Sequence, residues 1–316
     1  MKCPECSADH KHKDGMRCRC GYRFLFDPKT DPITDGRFLA AVRGASANGT
    51  WHFTANQLYA AHLRRRRAYR GIAAACAIAA VIASVVCGFV VPPALWALIP
   101  IALVCIGWAG NQYSREPLAR DQWDRCVERW RSERTLEKMI VQPSLGDPPP
   151  QWQEPDIYDY GVEKIVLVDR DLTVDLLVLN NLHAEQKALI LSEHGYPPYL
   201  VERATGVLRE NAEIPVYLLH DAASTGPPMA ERLGASTLLP IEGHPVIDLG
   251  LSPDDVRKLP QLRHARRREE EAVTPVDFIP VGALLAVMAV SFENRVGMWD
   301  AIEQQRILHG DTGSFG

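Results

Sequence analysis

RRRRAYRGIAAACAIAAVIASVVCGFVVPPALWALIPIALVCIGWAG, residues 64–110, decides the architecture of this 316-residue chain. From Gly71 to Gly110 no residue is charged, and the stretch is broken once, at Pro92-Pro93. The 21 residues Gly71 to Val91 are long enough to cross a hydrocarbon core of about 30 Å as a helix, and the 17 from Ala94 to Gly110 stand near the lower limit for a second crossing. The expectation is a transmembrane helical hairpin at 71–110. Arg64 to Arg67 and Arg70 before it, and Arg115, Arg120 and Arg125 after it, put both flanks on the cytoplasmic side of the cell membrane, because basic residues beside a span stay inside. Small residues crowd the first span (Ala73 to Ala75, Ala79, Ala80, Ala83, Gly88), which suits close packing within the hairpin or in a homo-oligomer.

Charge divides the remainder. Residues 1–70 carry 14 Lys and Arg against 6 Asp and Glu, whereas residues 141–262 carry 8 against 19, so a basic front and an acidic middle lie behind the net charge of −4. No N-terminal secretory pattern precedes the apolar run, and the eight cysteines read as thiols of a reducing compartment. Four of them are paired near the N-terminus: Cys3-Pro-Glu-Cys6, then Cys18-Arg-Cys20-Gly-Tyr. Two close thiol pairs are what a tetrahedral ion needs, and four thiolates leave no open coordination position, so the expected role is a structural Zn²⁺ site. Gly21 lets the chain turn tightly after the last thiol. Tyr22, Phe24 and Phe26 supply a small core. The segment resembles the zinc-ribbon family over about 25 residues, with CxC in place of the commoner second CxxC. Lys11, Lys13, Arg17, Arg19 and Arg23 around it allow nucleic-acid binding, but attraction to anionic lipid accounts for them better.

The boundaries expected are a knuckle at 1–30, a helical juxtamembrane extension at 31–70 with helices at Asp35 to Arg43 and from Thr54 onward, the hairpin, an amphipathic helix within 111–141, a Pro-rich linker at 142–156, an α/β domain at 157–262, and an apolar helix with a flexible tail at 263–316. In the amphipathic helix Trp123, Cys126, Val127 and Trp130 fall on one face, which fits either headgroup depth or packing on the cytoplasmic domain. Pro280 to Phe292 is too short for an ordinary span and is expected to pack on the α/β domain, with a re-entrant segment as the lesser reading.

The α/β pattern runs Lys164 to Val168 (strand), Leu172 to Asn181 (helix), Ala188 to Leu191 (strand), Tyr199 to Asn211 (helix), Val216 to Leu219 (strand) and Pro228 to Leu233 (helix), with Thr237 to Leu239 as a fourth strand. Short apolar strands alternating with helices imply a mainly parallel sheet, whose ligands sit at the carboxyl ends of the strands. Those ends read Asp169-Arg170-Asp171, Glu193-His194-Gly195 and His220-Asp221. Asp169, Glu193, Asp221 and His220 are therefore the candidate catalytic residues, and the three acids suit Mg²⁺. The alternative is that Asp169 and Asp221 cap the following helices. The layout loosely resembles the Toprim family over about 80 residues. Asp169 stands where that family has Glu, Asp221 begins its DxD, and Gly226 follows, while Asp221-Ala222-Ala223 lacks the second acid. The resemblance implies a degenerate Mg²⁺ site for phosphoryl transfer on nucleic acids. There is no Walker loop, GxGxxG, GxSxG or HExxH.

The overall expectation is a multidomain membrane protein with a small four-cysteine zinc ribbon, a two-helix hairpin and a C-terminal α/β domain. Its role would be membrane-anchored regulation or interaction with a cytoplasmic protein partner. The alternatives are a tethered metal-dependent phosphoryl-transfer enzyme or nuclease, and a nucleic-acid-binding sensor.

Overall fold

A computed structural model describes residues 1–90, 95–114, 117–148, 161–222, 228–258 and 273–308. The Pro92-Pro93 turn, Pro149, Pro150 and Pro155 of the linker, Ala223, Gly226, the charged stretch 266–271 and the tail from 309 lie outside the described residues. The chain forms two compact units. The first combines residues 1–41 with 61–135, and the second combines 42–60 with 136–316.

In the first unit the knuckle loops are fixed by single bridges, Lys2 to Asp9 and Arg17 to Arg23, rather than by a strand through Tyr22 to Phe26. Helix α1 (Asp35–Ala45) follows. The long helix α2 (Ala55–Val90) carries the chain without a break from Thr54 through the arginine run into the apolar stretch, and α3 (Leu95–Ser114) comes next. Helix α4 (Arg120–Glu133) completes the set. Its apolar face is buried: Trp123 is 0% and Trp130 2% exposed. The two readings of its tryptophans are thereby decided against headgroup depth, and the partner is the knuckle side of the chain rather than the α/β domain. Trp130 stacks on Phe38 at 4.7 Å and meets Phe26 at 5.9 Å, while Trp123 lies against Phe38 at 5.6 Å and His62 at 4.4 Å. Period-3.6 spacing shows that a face is buried but not what covers it.

Asp35 organises the same unit. Its carboxylate is 1% exposed and accepts hydrogen bonds from the Tyr22 hydroxyl (2.7 Å) and from the backbone N–H of Leu25 (2.9 Å) and Phe26 (2.8 Å). Arg134, just past α4, donates to the Tyr22 hydroxyl and the Arg23 carbonyl, and Arg129 bonds Asp31 and the Leu25 carbonyl. A buried charge with this many donors is stable where an unpartnered one would not be.

By contrast, the apolar side chains of α2 and α3 are uncovered: Ile78 is 61% and Val104 70% exposed, and Ile72, Ile82, Ile101 and Leu103 exceed half. The described part of α2 up to Ser84 is long and apolar enough to cross a membrane, and α3 has a shorter apolar stretch at Pro100–Asn111.

The second unit is built on a four-stranded parallel sheet of β3 (Lys164–Val168), β4 (Ala188–Ser192), β5 (Val216–Leu219) and β6 (Val246–Asp248), in spatial order β4-β3-β5-β6. A two-residue parallel pair, β1 (Phe53–Thr54) with β2 (Met139–Ile140), stands apart. Connecting helices are α5 (Asp171–Val178), α6 (Leu182–Glu185), α7 (Pro198–Glu210), α8 (Met229–Gly234) and α9 (Pro253–Lys258). Strands β3, β4 and β5 are buried on both faces, as their unbroken apolar runs require. Ile165, Leu167, Leu189, Leu191, Val216 and Leu218 pack against Leu200, Ala204 and Leu208 of α7 and Met229 and Leu233 of α8. On the opposite side Tyr217 meets Phe292 of α10 (Val281–Asn294), with ring centroids 4.7 Å apart. The apolar segment 280–292 is therefore a helix packed on the sheet domain, as expected. It turns by 97° into α11 (Met298–Leu308).

The fourth strand is a correction. Thr237 to Leu239 forms no strand, although Leu239 is buried, and the pairing is made instead by Val246–Asp248. A three-residue edge strand, exposed at both ends, has no apolar run to announce it. The first helix also ends early: Asn181 takes a left-handed φ of 64°, separating α5 from α6.

Candidate functional site

Two sites emerge, one sulfur and one carboxylate. In the knuckle, Cys3 Sγ lies 3.5 Å from Cys20 Sγ and Cys6 Sγ 3.6 Å from Cys18 Sγ, and all four fall within 4.8 Å of one another. A tetrahedron with sulfur about 2.3 Å from its centre has edges of about 3.8 Å, so the set fits one metal ion. Backbone N–H groups point at the sulfurs: those of Glu5 and Cys6 at Cys3, that of Ala8 at Cys6 and that of Tyr22 at Cys20. Such donors stabilise thiolate, the form that binds metal. Gly21, at φ 98°, makes the turn that brings the Tyr22 amide to Cys20. Cys3, Cys18, Tyr22 and Phe24 form the small core, while Phe26 joins the aromatic group around Phe38 instead. Among the described residues no other set of His, Cys, Asp or Glu meets the same proximity.

The second site is the carboxyl edge of the sheet. The order β4-β3-β5-β6 reverses direction between β3 and β5, the switch point at which open α/β sheets form their ligand crevice. Asp169, His220 and Asp221 lie at this point, but each is partnered. Asp169 Oδ2 accepts the Asp221 N–H at 2.7 Å. Asp221 Oδ1 accepts the Val276 N–H at 2.8 Å and faces Arg170 Nη2 at 3.0 Å. The same Arg170 nitrogen bonds Asp277 Oδ1 at 2.9 Å. Neither Asp169 nor Asp221 caps a helix. They tie strand ends and the segment at 274–278 together, with the bridge between Ala222 and Thr274 alongside. Glu193, at the end of β4, has its N–H bonded to the Val168 carbonyl at 2.8 Å, its charge acts on Asp169, and its carboxylate is held by a two-pronged bond from Arg232 (3.0 and 2.7 Å). Of the three proposed Mg²⁺ ligands, Asp221 and Glu193 are thus hydrogen-bonded by arginines, whereas Asp169 Oδ1 is buried with no hydrogen-bond partner among the described residues, 3.9 Å from Arg170 Nε, and His194 is exposed beside Glu193.

No family model, curated protein or solved structure matches this chain. Its chemistry must be read from its own side chains.

His220 has both ring nitrogens engaged, Nδ1 with the Asp221 carbonyl at 2.9 Å and Nε2 with Asp248 at 3.0 Å. Both acceptors favour the doubly protonated ring. Burial works against the charge, but the bonds to Asp248 and to the Asp221 carbonyl outweigh it and lift the imidazole to about 8. Gly250 permits the arrangement: a Cβ there would stand 2.1 Å from His220 Nε2. Gly250→Ala should push the ring off Asp248, and NMR titration should then find the imidazole below 8, toward its ordinary value near 6.5.

Burial also raises the carboxyl of Asp221, to about 7, although Arg170 pulls it back. Burial likewise raises Asp169. A carboxyl raised above its unfolded value of about 4 takes up a proton on folding, so it stabilises least once the pH has passed its folded value. The stability that His220 gains is complete below about 6.5 and is lost as pH rises through 8. All these signs agree. Denaturant unfolding of the second unit should show lower stability at pH 8.5 than at pH 6. The His220 part is at most about 2 kcal/mol and is reduced by solvent screening at this partly open position.

Sequence reading missed Arg170, Asp248 and Asp277 as members of this cluster. One sign of Asp277 was available: an acid set in the apolar run Val276-Asp277-Phe278-Ile279 has to be buried or partnered. It is 1% exposed.

Proposed function

We propose that this protein is a membrane-anchored, zinc-bearing interaction or regulatory protein, with both soluble units on the cytoplasmic face. The observation that carries the reading is that each unit draws on chain from both sides of the apolar pair of helices. In the first unit, Phe26, Phe38 and His62 pack on Trp123 and Trp130. In the second, Phe53 and Thr54 pair with Met139 and Ile140. Segments that pack together cannot lie on opposite sides of a bilayer, so the chain between them crosses an even number of times. The uncovered apolar side chains of α2 and α3 support two crossings, and the flanking arginines support a cytoplasmic orientation.

A closed set of four thiolates favours structural Zn²⁺, selected by soft sulfur ligands and tetrahedral geometry. Cysteine carries this site; it gives no open position for catalysis. At the sheet edge the arginines bonded to Asp221 and Glu193 favour a binding or docking role over metal-dependent chemistry.

Purified full chain in detergent should contain about one zinc per molecule, and the native protein should stay with membranes through an alkaline wash. Metal-free chain with an ordered knuckle, or release by the wash, would contradict the proposal.

A phosphoryl-transfer reading has one observation in its favour, the position of Asp169 and Asp221 at the switch point. It requires Arg170 to leave Asp221. Saturable Mn²⁺ binding by the full chain, lost in Asp221→Ala, would support it; Mn²⁺ binding that is absent or unchanged by this substitution would exclude it.

A further inference from the structure

The sheet-edge cluster is joined to the foot of α2 through one side chain, Asp277. On one side its carboxylate meets Arg170 at the switch point (2.9 Å). On the other it accepts the Thr54 hydroxyl at 2.7 Å and the Asn56 amide at 2.9 Å. Thr54 is the N-cap of α2 and forms a capping box with Gln57: the Thr54 N–H donates to Gln57 Oε1 (3.0 Å), and the Gln57 N–H donates to Thr54 Oγ1 (3.3 Å). The hydroxyl therefore accepts from the helix and donates to Asp277 at once. The Gln57 side chain also reaches the Ile279 carbonyl, two residues beyond. From this turn α2 runs as one helix to Val90.

Segment 274–278 in turn is bonded to the residues just after β5. Ala222 and Thr274 exchange backbone bonds of 2.9 and 2.8 Å, and the Val276 N–H reaches Asp221. An anion is a poor candidate for this position, because Arg170 already faces Asp169, Asp221 and Asp277. A bistable contact fits better: Asp277 joins Arg170 at the switch point to the hydroxyl of the residue that caps α2, so a shift that frees Arg170 also removes the bonds that orient Thr54 and Asn56.

We infer that Asp277 is a latch that couples the occupancy of the switch-point crevice to the first turn of α2, so that opening one loosens the other. The inference does not depend on where the protein resides, only on the contacts within the second unit.

Hydrogen exchange on the full chain in detergent tests it from both ends. Thr54→Val keeps the side-chain shape and removes the hydroxyl; it should raise exchange at the amides of Asp221, Ala222 and Val276 about tenfold. Arg170→Met, at the other end, should raise exchange at Gln57 and Leu58 by a similar factor. In the double variant the two effects should be less than multiplicative, since each alone has already opened the shared contact. Thr54→Ser retains the hydroxyl and should exchange like the native protein. Amides of β3 and β4 should keep native protection in every variant, which separates opening of the latch from unfolding. Exchange that rises only beside the substituted residue, or a Thr54→Ser variant indistinguishable from Thr54→Val, overturns the latch.

Discussion

Replacing Cys18 with serine is expected to release the metal and unfold residues 1–30. The serine hydroxyl stays protonated near neutral pH, and three thiolates cannot close the tetrahedron. For so small a unit the metal-binding free energy, about 10–16 kcal/mol for structural zinc, is the folding free energy. The core it leaves behind is only Cys3, Cys18, Tyr22 and Phe24, with Met1 and Met16 at its edge. Loss should spread to α1, because the buried Asp35 carboxylate takes its three short hydrogen bonds from Tyr22, Leu25 and Phe26. A buried carboxylate without those donors is strongly disfavoured. Metal analysis should fall from about one zinc per chain to near none. The amides of Cys18 and Phe24, bonded to the carbonyls of Tyr22 and Met16, should lose protection against hydrogen exchange. Retained zinc with native protection would refute this.

The second large effect is expected from Trp123→Ala. The side chain is fully buried and sits between His62, in the part of α2 before the arginine run, and Phe38. Removing a buried indole costs about 3–5 kcal/mol, a large share of the 5–15 kcal/mol that holds a domain together. The consequence reaches beyond local packing, since this contact helps hold α4 against the knuckle side of the unit. Trp108→Ala is the matched control. Trp108 lies on α3 and is 39% exposed, so its loss should leave the unit's unfolding midpoint nearly unchanged. Equal effects from the two substitutions would show that Trp123 is not the centre of the aromatic group.

What the sequence disclosed was local. Residues 71–110 declare themselves by the absence of charge, the thiol pairs by their spacing, and β3, β4 and β5 by apolar runs that only a sheet covered on both faces tolerates. The cap at Thr54 was legible because a capping box spans only four residues. What stayed hidden depends on distant partners. Trp123 and Trp130 plainly belonged to a buried face, but their partners Phe38 and Phe26 lie 85 and 104 residues away along the chain. Strand β6 is short and half exposed, so its identity rests on pairing with β5 rather than on composition. At the sheet edge the acids were found and their partners were not. Arg170 sat in view between Asp169 and Asp171, yet only the fold reveals that one guanidinium serves Asp221 and Asp277 together.

The central claim is that the apolar helices form an anchor whose two ends lie on one side of a membrane. The most direct measurement is protease access in sealed vesicles of known orientation, with a short epitope tag at each terminus of the full chain. When the cytoplasmic face is outward, both tags should be digested together, and in vesicles of the opposite orientation both should survive until detergent is added. One tag digested while the other is protected would contradict the account.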